Sequence, residues 1–271
     1  MTISIVPVSV VIPCYDCAQT IARAVASVVA QTVLPMDLIL VDDGSADETR
    51  AVLHDLLSRY QPGWIKLVLL DKNVGAASAR NAGWAVASQT YIAFLDADDA
   101  WHPRKIEIQH AYMNANPEVV LCGHGYRLLN QNVLPDWNVV QGEAQRIRKW
   151  ALMLSNQFVT PSVMVRRDVG HRFVEKQRYM EDHMLWLKII CSGGRVVNLN
   201  TDLAVIYKEP FGVMGLSAQV WLMERGDLGN YRRLHEEKFI KDYQFAVLVV
   251  FSVMKYLRRL LIYGGYLRWK K

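Results

Sequence analysis

Apolar and β-branched residues dominate positions 8–12, Pro13 ends the run, and positions 20–30 then carry apolar residues at helical spacing among many alanines. The change from a short apolar run to a 3.6-residue period predicts strand, loop and helix. The unit recurs. Positions 38–41 predict a second strand ending in Asp42-Asp43-Gly44-Ser45, followed by an amphipathic helix over 46–60 with an acidic first turn. Positions 66–70 predict a third strand, Asn73-Val74-Gly75 a turn, 76–88 a helix of small residues and 91–95 a fourth strand. Strands alternating with helices imply an α/β fold with a mostly parallel central sheet and helices on both faces.

Beyond His102-Pro103 the pattern is mixed. A helix is expected over 104–114, a strand over 119–125, then a polar, irregular stretch to Gln145. Positions 156–165 read as a turn feeding a strand, and 181–189 as a helix opening on Glu181-Asp182. Two further strands are expected, at 196–197 and 204–207. No internal repeat or low-complexity linker interrupts the chain.

A chain of 271 residues with 52% apolar composition can bury a full core, which excludes a disordered class. Its charge of +5 is unevenly spread: residues 1–110 hold 8 Lys/Arg against 12 Asp/Glu, and the remainder holds 23 against 14. The two parts therefore face different partners. The carboxyl tail, 241–271, has seven basic residues and one acid, Asp242, interleaved with apolar side chains and ending near Tyr263, Tyr266 and Trp269. Its apolar run is too short to cross a bilayer, which needs roughly 20 apolar residues, but a basic apolar helix suits an anionic membrane surface. The alternative is a helix packed on the domain or in a dimer. Residues 1–11 lack the basic start of a signal peptide, so the chain is expected to be cytoplasmic. Cys14, Cys17, Cys122 and Cys191 are too scattered for a disulfide scaffold. Cys14-Tyr15-Asp16-Cys17 has redox-motif spacing, although small residues in a tight turn account for it more simply, since no second pair completes a zinc site.

In parallel sheets ligands bind outside the carboxyl ends of the strands, so the clusters at 13–17, 42–45, 71–75 and 96–99 should converge. Each alone would serve as a turn or helix cap. Together they point to a ligand site, above all Asp96-Ala97-Asp98-Asp99, where three carboxylates repel one another unless a cation or proton intervenes. Such a cluster offers hard oxygen ligands for Mn²⁺ or Mg²⁺ beside phosphates. Paired acids after one strand, Asp42-Asp43, with further acid after a later strand would also suit a Mg²⁺-dependent phospho-acceptor domain, and the paired cysteines would suit a thiol oxidoreductase.

The ordered motifs Val10-Val11-Ile12-Pro13-Cys14-Tyr15, Leu40-Val41-Asp42-Asp43-Gly44-Ser45, Asn73 to Asn81, Phe94 to Asp99 and Glu181-Asp182 resemble the inverting family-2 glycosyltransferases of GT-A, Rossmann-like fold, particularly bacterial members that build surface polysaccharides. The resemblance covers roughly residues 6–210. It implies a hexosyl- or N-acetylhexosaminyl-transferase moving sugar from a UDP-sugar to a glycan or lipid-linked saccharide, peripheral on the cytoplasmic face of the inner membrane, with no nucleic-acid partner. Residues 1–110 would form the nucleotide-sugar half, 111–210 the acceptor half and 211–271 a helical, basic and apolar extension.

The same resemblance implies the site. Pro13, Tyr15, Asp43, Arg80 and Asp96 would hold the nucleotide, Asp43 accepting from the uracil imide and Asp96 reaching the ribose or a metal-bound water. Asp98, with Asp96, would form the DXD motif that ligates the cation. Asp182 would be the general base of a single displacement. Glu181, His183, Trp186 and Asp99 would contact the acceptor or support the site, Asp99 by capping the next helix or backing the metal. Asp16 stands where relatives often carry Asn.

Overall fold

The computed structural model describes residues 4–131, 133–137, 142–207 and 219–269. Residues 208–218, which open the expected carboxyl-terminal extension, and the side chains of Tyr263, Tyr266 and Trp269 lie outside the described residues.

The chain begins β1 (Ser4–Cys14), α1 (Ile21–Val29), β2 (Val33–Asp42), α2 (Thr49–Arg59), β3 (Ile65–Leu69), α3 (Ala76–Val86) and β4 (Tyr91–Phe94). It continues through β5 (Ala100–Trp101), α4 (Lys105–Ala115), β6 (Val119–Leu129), β7 (Ala144–Arg146), α5 (Lys149–Leu154), a 3₁₀ turn (Thr160–Ser162) and β8 (Met164–Arg166). Then come α6 (Glu181–Cys191), β9 (Arg195–Tyr207), α7 (Val220–Glu236) and α8 (Asp242–Trp269). All nine strands join one sheet of order β3-β2-β1-β4-β8-β6-β9-β5, with β7 also on β9. The first four pair in parallel, β8 runs antiparallel between β4 and β6, and β6 and β9 are again parallel.

Alternation along β1 explains both covered faces. Val10 and Ile12 pack with Val25 of α1, Leu53 of α2 and Ile106 of α4. Val11 faces the other way, toward Trp84 of α3, Trp186 of α6 and Tyr231 of α7. The mostly parallel sheet with helices on both faces is therefore as expected.

Several details differ. Pro13 does not end β1, which runs on to Cys14 in register with Asp42. Val11 O accepts from Leu95 on the β4 side and Cys14 O from Asp43 on the β2 side, so Pro13 turns toward β4, whose pairing has already stopped at Phe94. Its missing N–H costs no ladder bond there. Asp47 and Glu48 precede α2 instead of forming its first turn. The two short strands expected near 196 and 204 are one strand, β9, because shifts of register at Gly125 let β6 accompany it throughout.

The reversal of strand order at β1, with β2 on one side and β4 on the other, opens a crevice at their carboxyl ends. All four clusters, at 13–17, 42–45, 71–75 and 96–99, border it.

Candidate active site

A cleft of about 600 Å³ opens at this crevice, and Pro13, Tyr15, Asp43, Arg80, Asp96 and Asp98 all line it. The loops after β1, β2, β3, β4 and β6 reach it because these strands deliver their carboxyl ends to the same edge, and the connection from β8 to α6 closes it from the other side. The Asp42-Asp43 loop crosses close to the loop after β3. Gly44, at φ +69°, has no room for a Cβ, which would fall 2.6 Å from the Lys72 carbonyl carbon. Gly75, at φ +90°, turns its N–H onto Asp43 Oδ2 at 2.9 Å, while Val74 N–H donates to Oδ1 at 2.8 Å. Burial raises the Asp43 carboxyl above its ordinary range against these two donors. Tyr15 is exposed over the cleft.

Asp16 is occupied by the scaffold. Its Oδ1 accepts from Ala46 N–H at 2.9 Å and its own N–H donates to Ser45 Oγ at 3.1 Å, so the carboxylate braces the neighbouring loop.

Arg80 is the hub. It is 4% exposed, and its Nη2 meets Asp96 Oδ1 at 2.7 Å while Nη1 meets Glu181 Oε1 at 3.1 Å. Burial pulls the guanidinium pKa down, but Asp96 and Glu181 more than offset this and hold it above the usual range. Asp96 thus arrives at the cleft already paired. Asp98 is exposed on the turn that follows, and Arg23 of α1 donates to its carbonyl. Asp99 is buried and accepts from Tyr207 N–H at 3.1 Å. That corrects the expected helix cap: Asp99 ties the acidic turn to the end of β9.

Asp96 and Asp98 also line a second recess of about 200 Å³, shared with Asp99, Thr160, Pro161 and Asp182. The acidic turn therefore stands between the cleft and Asp182. Asp182 sits in the first turn of α6, where His183 N–H donates to Oδ1 at 2.6 Å and Asn156 Nδ2 to Oδ2 at 3.1 Å. Burial raises its pKa, opposed by His183, its backbone N–H, Arg80 and Asn156. Glu181 is pushed up to about 7, chiefly by burial, with Arg80 pulling it down and Asp182 pushing it up.

His183 and Trp186 have no exposed surface, so neither side chain touches an acceptor, which corrects that expectation. His183 is instead a strut, with Nδ1 3.1 Å from Asp227 Oδ1 of α7 and Nε2 2.7 Å from the Leu152 carbonyl of α5. Trp186 fills the core between α6 and Phe173.

Residues that sequence reading passed over complete the arrangement. Gln177 and the exposed Arg178 line the cleft, and Gln177 and Asn230 of α7 bind each other and the carbonyls of Tyr179 and Met180. Met180 is left-handed at φ 56°, the bend from which α6 starts. Nothing in their local pattern marks them, because each works across a long stretch of chain.

The geometry disfavours the other two chemistries. Asp42 and Asp43, the acid pair a phospho-acceptor site would need, are buried and committed to Arg50, Ser45, Val74 and Gly75. Cys14 is fully buried and burial pushes its thiol well above the ordinary range; the hydrogen bond with Cys14 lowers Cys17, but that thiol is itself buried, whereas thiol exchange needs an accessible thiolate.

The family model for glycosyl transferase family 2 matches residues 9–171. The Escherichia coli UDP-Glc:alpha-D-GlcNAc-diphosphoundecaprenol beta-1,3-glucosyltransferase WfgD is 32% identical over 183 residues, covering 68% of this chain and 69% of that protein. The putative teichuronic acid biosynthesis glycosyltransferase TuaG of Bacillus subtilis (strain 168) is 31% identical over 236 residues, 86% of this chain and 90% of that protein. Among solved structures, S. aureus TarS 1-349 in complex with UDP-GlcNAc superposes with a TM-score of 0.66 at 15% identity, covering 89% of this chain and 70% of that one. GalNAc-T7 with UDP, GalNAc and Mn²⁺ gives 0.61 at 17% identity, over 82% and 47%. Both structural likenesses concern the fold. With a family model spanning more than half of its length on a GT-A sheet and crevice, the chain belongs to glycosyl transferase family 2 and is a glycosyltransferase.

Proposed function

We propose that the enzyme transfers a hexosyl or N-acetylhexosaminyl group from a UDP-sugar to a hydroxyl of a lipid-linked or polysaccharide acceptor, in surface-polysaccharide synthesis, with inversion. The observation that carries this reading is the shared lining: Asp96 and Asp98 border both the larger cleft and the recess that holds Asp182. A donor in the cleft would present its anomeric carbon at the acidic turn, and an acceptor in the recess would reach it from the other side.

Asp43 and Tyr15 take the base, Pro13 borders it, Asp96 takes the ribose side and Arg178 faces the diphosphate. The donor set fits a divalent cation: Asp98 is an exposed hard-oxygen ligand with Asp96 beside it, and no cluster of three His, Cys, Asp or Glu occurs among the described residues. Asp98 and Asp96 would hold Mn²⁺ or Mg²⁺ through one or two carboxylates, a donor number such ions accept beside substrate phosphates. When bound it offsets charge on the departing diphosphate. Asp182 accepts the proton of the acceptor hydroxyl as that oxygen attacks the anomeric carbon, the bond to the diphosphate oxygen breaks, and the new bond forms on the opposite face. Burial raises the basicity of Asp182, which suits it to receive that proton. The UDP-Glc donor and diphosphoundecaprenol-linked acceptor of WfgD support a nucleotide-sugar donor and a lipid-linked acceptor, and the role in teichuronic acid biosynthesis ascribed to TuaG supports polysaccharide synthesis.

One experiment tests the assignment. UDP binding is followed by calorimetry with and without Mn²⁺, and product formation is assayed, in the native enzyme, Asp98→Ala and Asp182→Asn. Asp98→Ala should lose the metal-dependent part of binding. Asp182→Asn should keep it while turnover falls about 10²–10⁴-fold. Metal-dependent binding unchanged in Asp98→Ala, or full turnover in Asp182→Asn, would remove the respective residue from its role.

A further inference from the structure

Helix α8 is apolar on its outer face as well as on the inner one that buries Leu248 in the core. A surface helix of a water-soluble domain turns its apolar stripe inward and its polar face to solvent. Here every exposed position from Tyr243 to Leu257 is apolar, and the stripe Tyr243, Val247, Val250, Met254, Leu257 and Leu261 repeats at helical spacing along the outside. The polar residues point inward. Ser252 Oγ donates to Glu224 Oε1 of α7 at 2.6 Å, both buried, and Lys255 Nζ donates to the Leu154 carbonyl at the end of α5 at 2.8 Å and lies 3.9 Å from Asp227 Oδ2. The domain holds this helix by these hydrogen bonds and by buried Leu248, with Phe245 packed beside it, and presents a second apolar face to whatever lies outside.

We propose that this face docks on an anionic lipid bilayer, lying in the headgroup–acyl boundary parallel to the surface. Three observations select lipid. The exposed apolar band also takes in Ala246, Val253 and Leu260, which makes it broader than the two-position seam of a coiled coil. Residues 241–271 carry seven Lys/Arg against Asp242, so two copies of the segment repel while anionic headgroups attract it, and exposed Arg258 flanks the band. No helix among the described residues is long and apolar enough to cross a membrane, which leaves an in-plane mode.

The polar anchors give the placement a consequence that rests on the sugar-transfer reading. Lys255 touches the carbonyl of Leu154, two residues before Asn156, and Asp227 stands between Lys255 and His183. The elements that hold Asp182 are thus fixed to the membrane-facing helix, and a lipid-linked acceptor would be met at a set height above the bilayer.

The test uses the full chain, sedimented with phosphatidylcholine vesicles containing or lacking phosphatidylglycerol, alongside Val250→Glu/Leu257→Glu and, separately, Arg258→Glu. All three positions are exposed, so thermal midpoints should match the native protein. The native chain should sediment with phosphatidylglycerol vesicles, less so at high salt, and the double variant should lose about tenfold or more of its binding. Arg258→Glu should lose less. UDP-sugar hydrolysis in solution should be equal in all three. Failure of the native chain to sediment, or equal sedimentation of the double variant, overturns the proposal. So does a native dimer in sedimentation equilibrium that the double variant dissociates, which would assign the face to a second copy. Hydrolysis missing from the native chain would instead count against the transfer reading and leave the vesicle result standing.

Discussion

The two sides of the reaction centre are built by different means. On the nucleotide side, the polar groups sit mainly on the loops that follow parallel strands, and neighbouring loops brace one another over short contacts: Asp43 to Val74 and Gly75, and Asp16 to Ala46. On the acceptor side, Asp182 is held by Asn156, its helix by a His183 strut to α5 and α7, and the preceding bend by Asn230. The first side is fixed by topology, since any sheet of this order brings those loops together. The second is fixed by individual hydrogen bonds from separate helices. Damage should accordingly spread differently on the two sides, and Arg80, paired with both Asp96 and Glu181, ties one to the other.

Arg80 is the strongest test of that division. Replacing it with Ala leaves Asp96 and Glu181 facing the cavity left by the guanidinium, with their charge uncompensated. Breaking a buried ion pair from one side costs about 3–5 kcal/mol, and partial exposure of Asp96 should place this case near the lower end. Urea unfolding should show that loss, and Arg80→Ala/Glu181→Gln should recover part of it because one of the two stranded charges is gone. A loss below about 1 kcal/mol, the range of a surface ion pair, would mean that the two sides are not joined through Arg80.

The same contrast explains what was legible beforehand. The strands, the helices between them and the convergence of the clusters that hold Pro13, Tyr15, Asp43, Asp96 and Asp98 could be read because apolar period and turn chemistry are local signals, and the sheet does the rest; Arg80, inside a helix, was marked only by the family resemblance. Pro13 misled because its tolerance depends on where β4 stops, which no local window contains. His183 and Trp186 looked like acceptor contacts from their place beside Asp182, but a helix buried on nearly all sides gives adjacent residues opposite surroundings. Asn156, Asp227 and Asn230 were invisible, since each acts on residues at least 26 positions away. In α8 the apolar run was plain and its direction was not: only packing against α5 and α7 decides which face is left outside.

A second, smaller effect concerns charge on the acceptor side. Glu181, pushed up to about 7 mainly by burial, binds its proton more tightly in the folded enzyme than in the unfolded chain. Its contribution to stability is therefore complete below about pH 4.5, the ordinary carboxyl range, and is lost as pH rises through about 7. The loss should be on the order of 2–3 kcal/mol. Glu181→Gln, which mimics the protonated form, should remove this slope from the urea midpoint measured between pH 4.5 and 8. A slope that survives the substitution would place the titrating group elsewhere. It would also leave Asp182 without the neighbour whose protonation spares it a second buried charge.

The finest test falls on Asn156, which reaches Asp182 across 26 residues of chain and donates to the oxygen that the His183 N–H does not occupy. A hydrogen bond to an ionised group contributes about 1.5–3 kcal/mol, part of which solvent recovers at this half-buried position. Its donation favours the carboxylate over the acid, so removing it should raise the pKa of Asp182. For Asn156→Ala the acid limb of the kcat profile should move up by about one pH unit, with turnover at neutral pH down severalfold and KM for the UDP-sugar unchanged. A purely structural residue would lower kcat at every pH without moving the limb. Asn156→Asp provides the complementary case: with a second carboxylate at 3.1 Å in place of a donor, the limb should move further in the same direction. If KM for the donor rises in Asn156→Ala while the limb stays still, the acceptor side is not an independent set of hydrogen bonds but an extension of the nucleotide cleft.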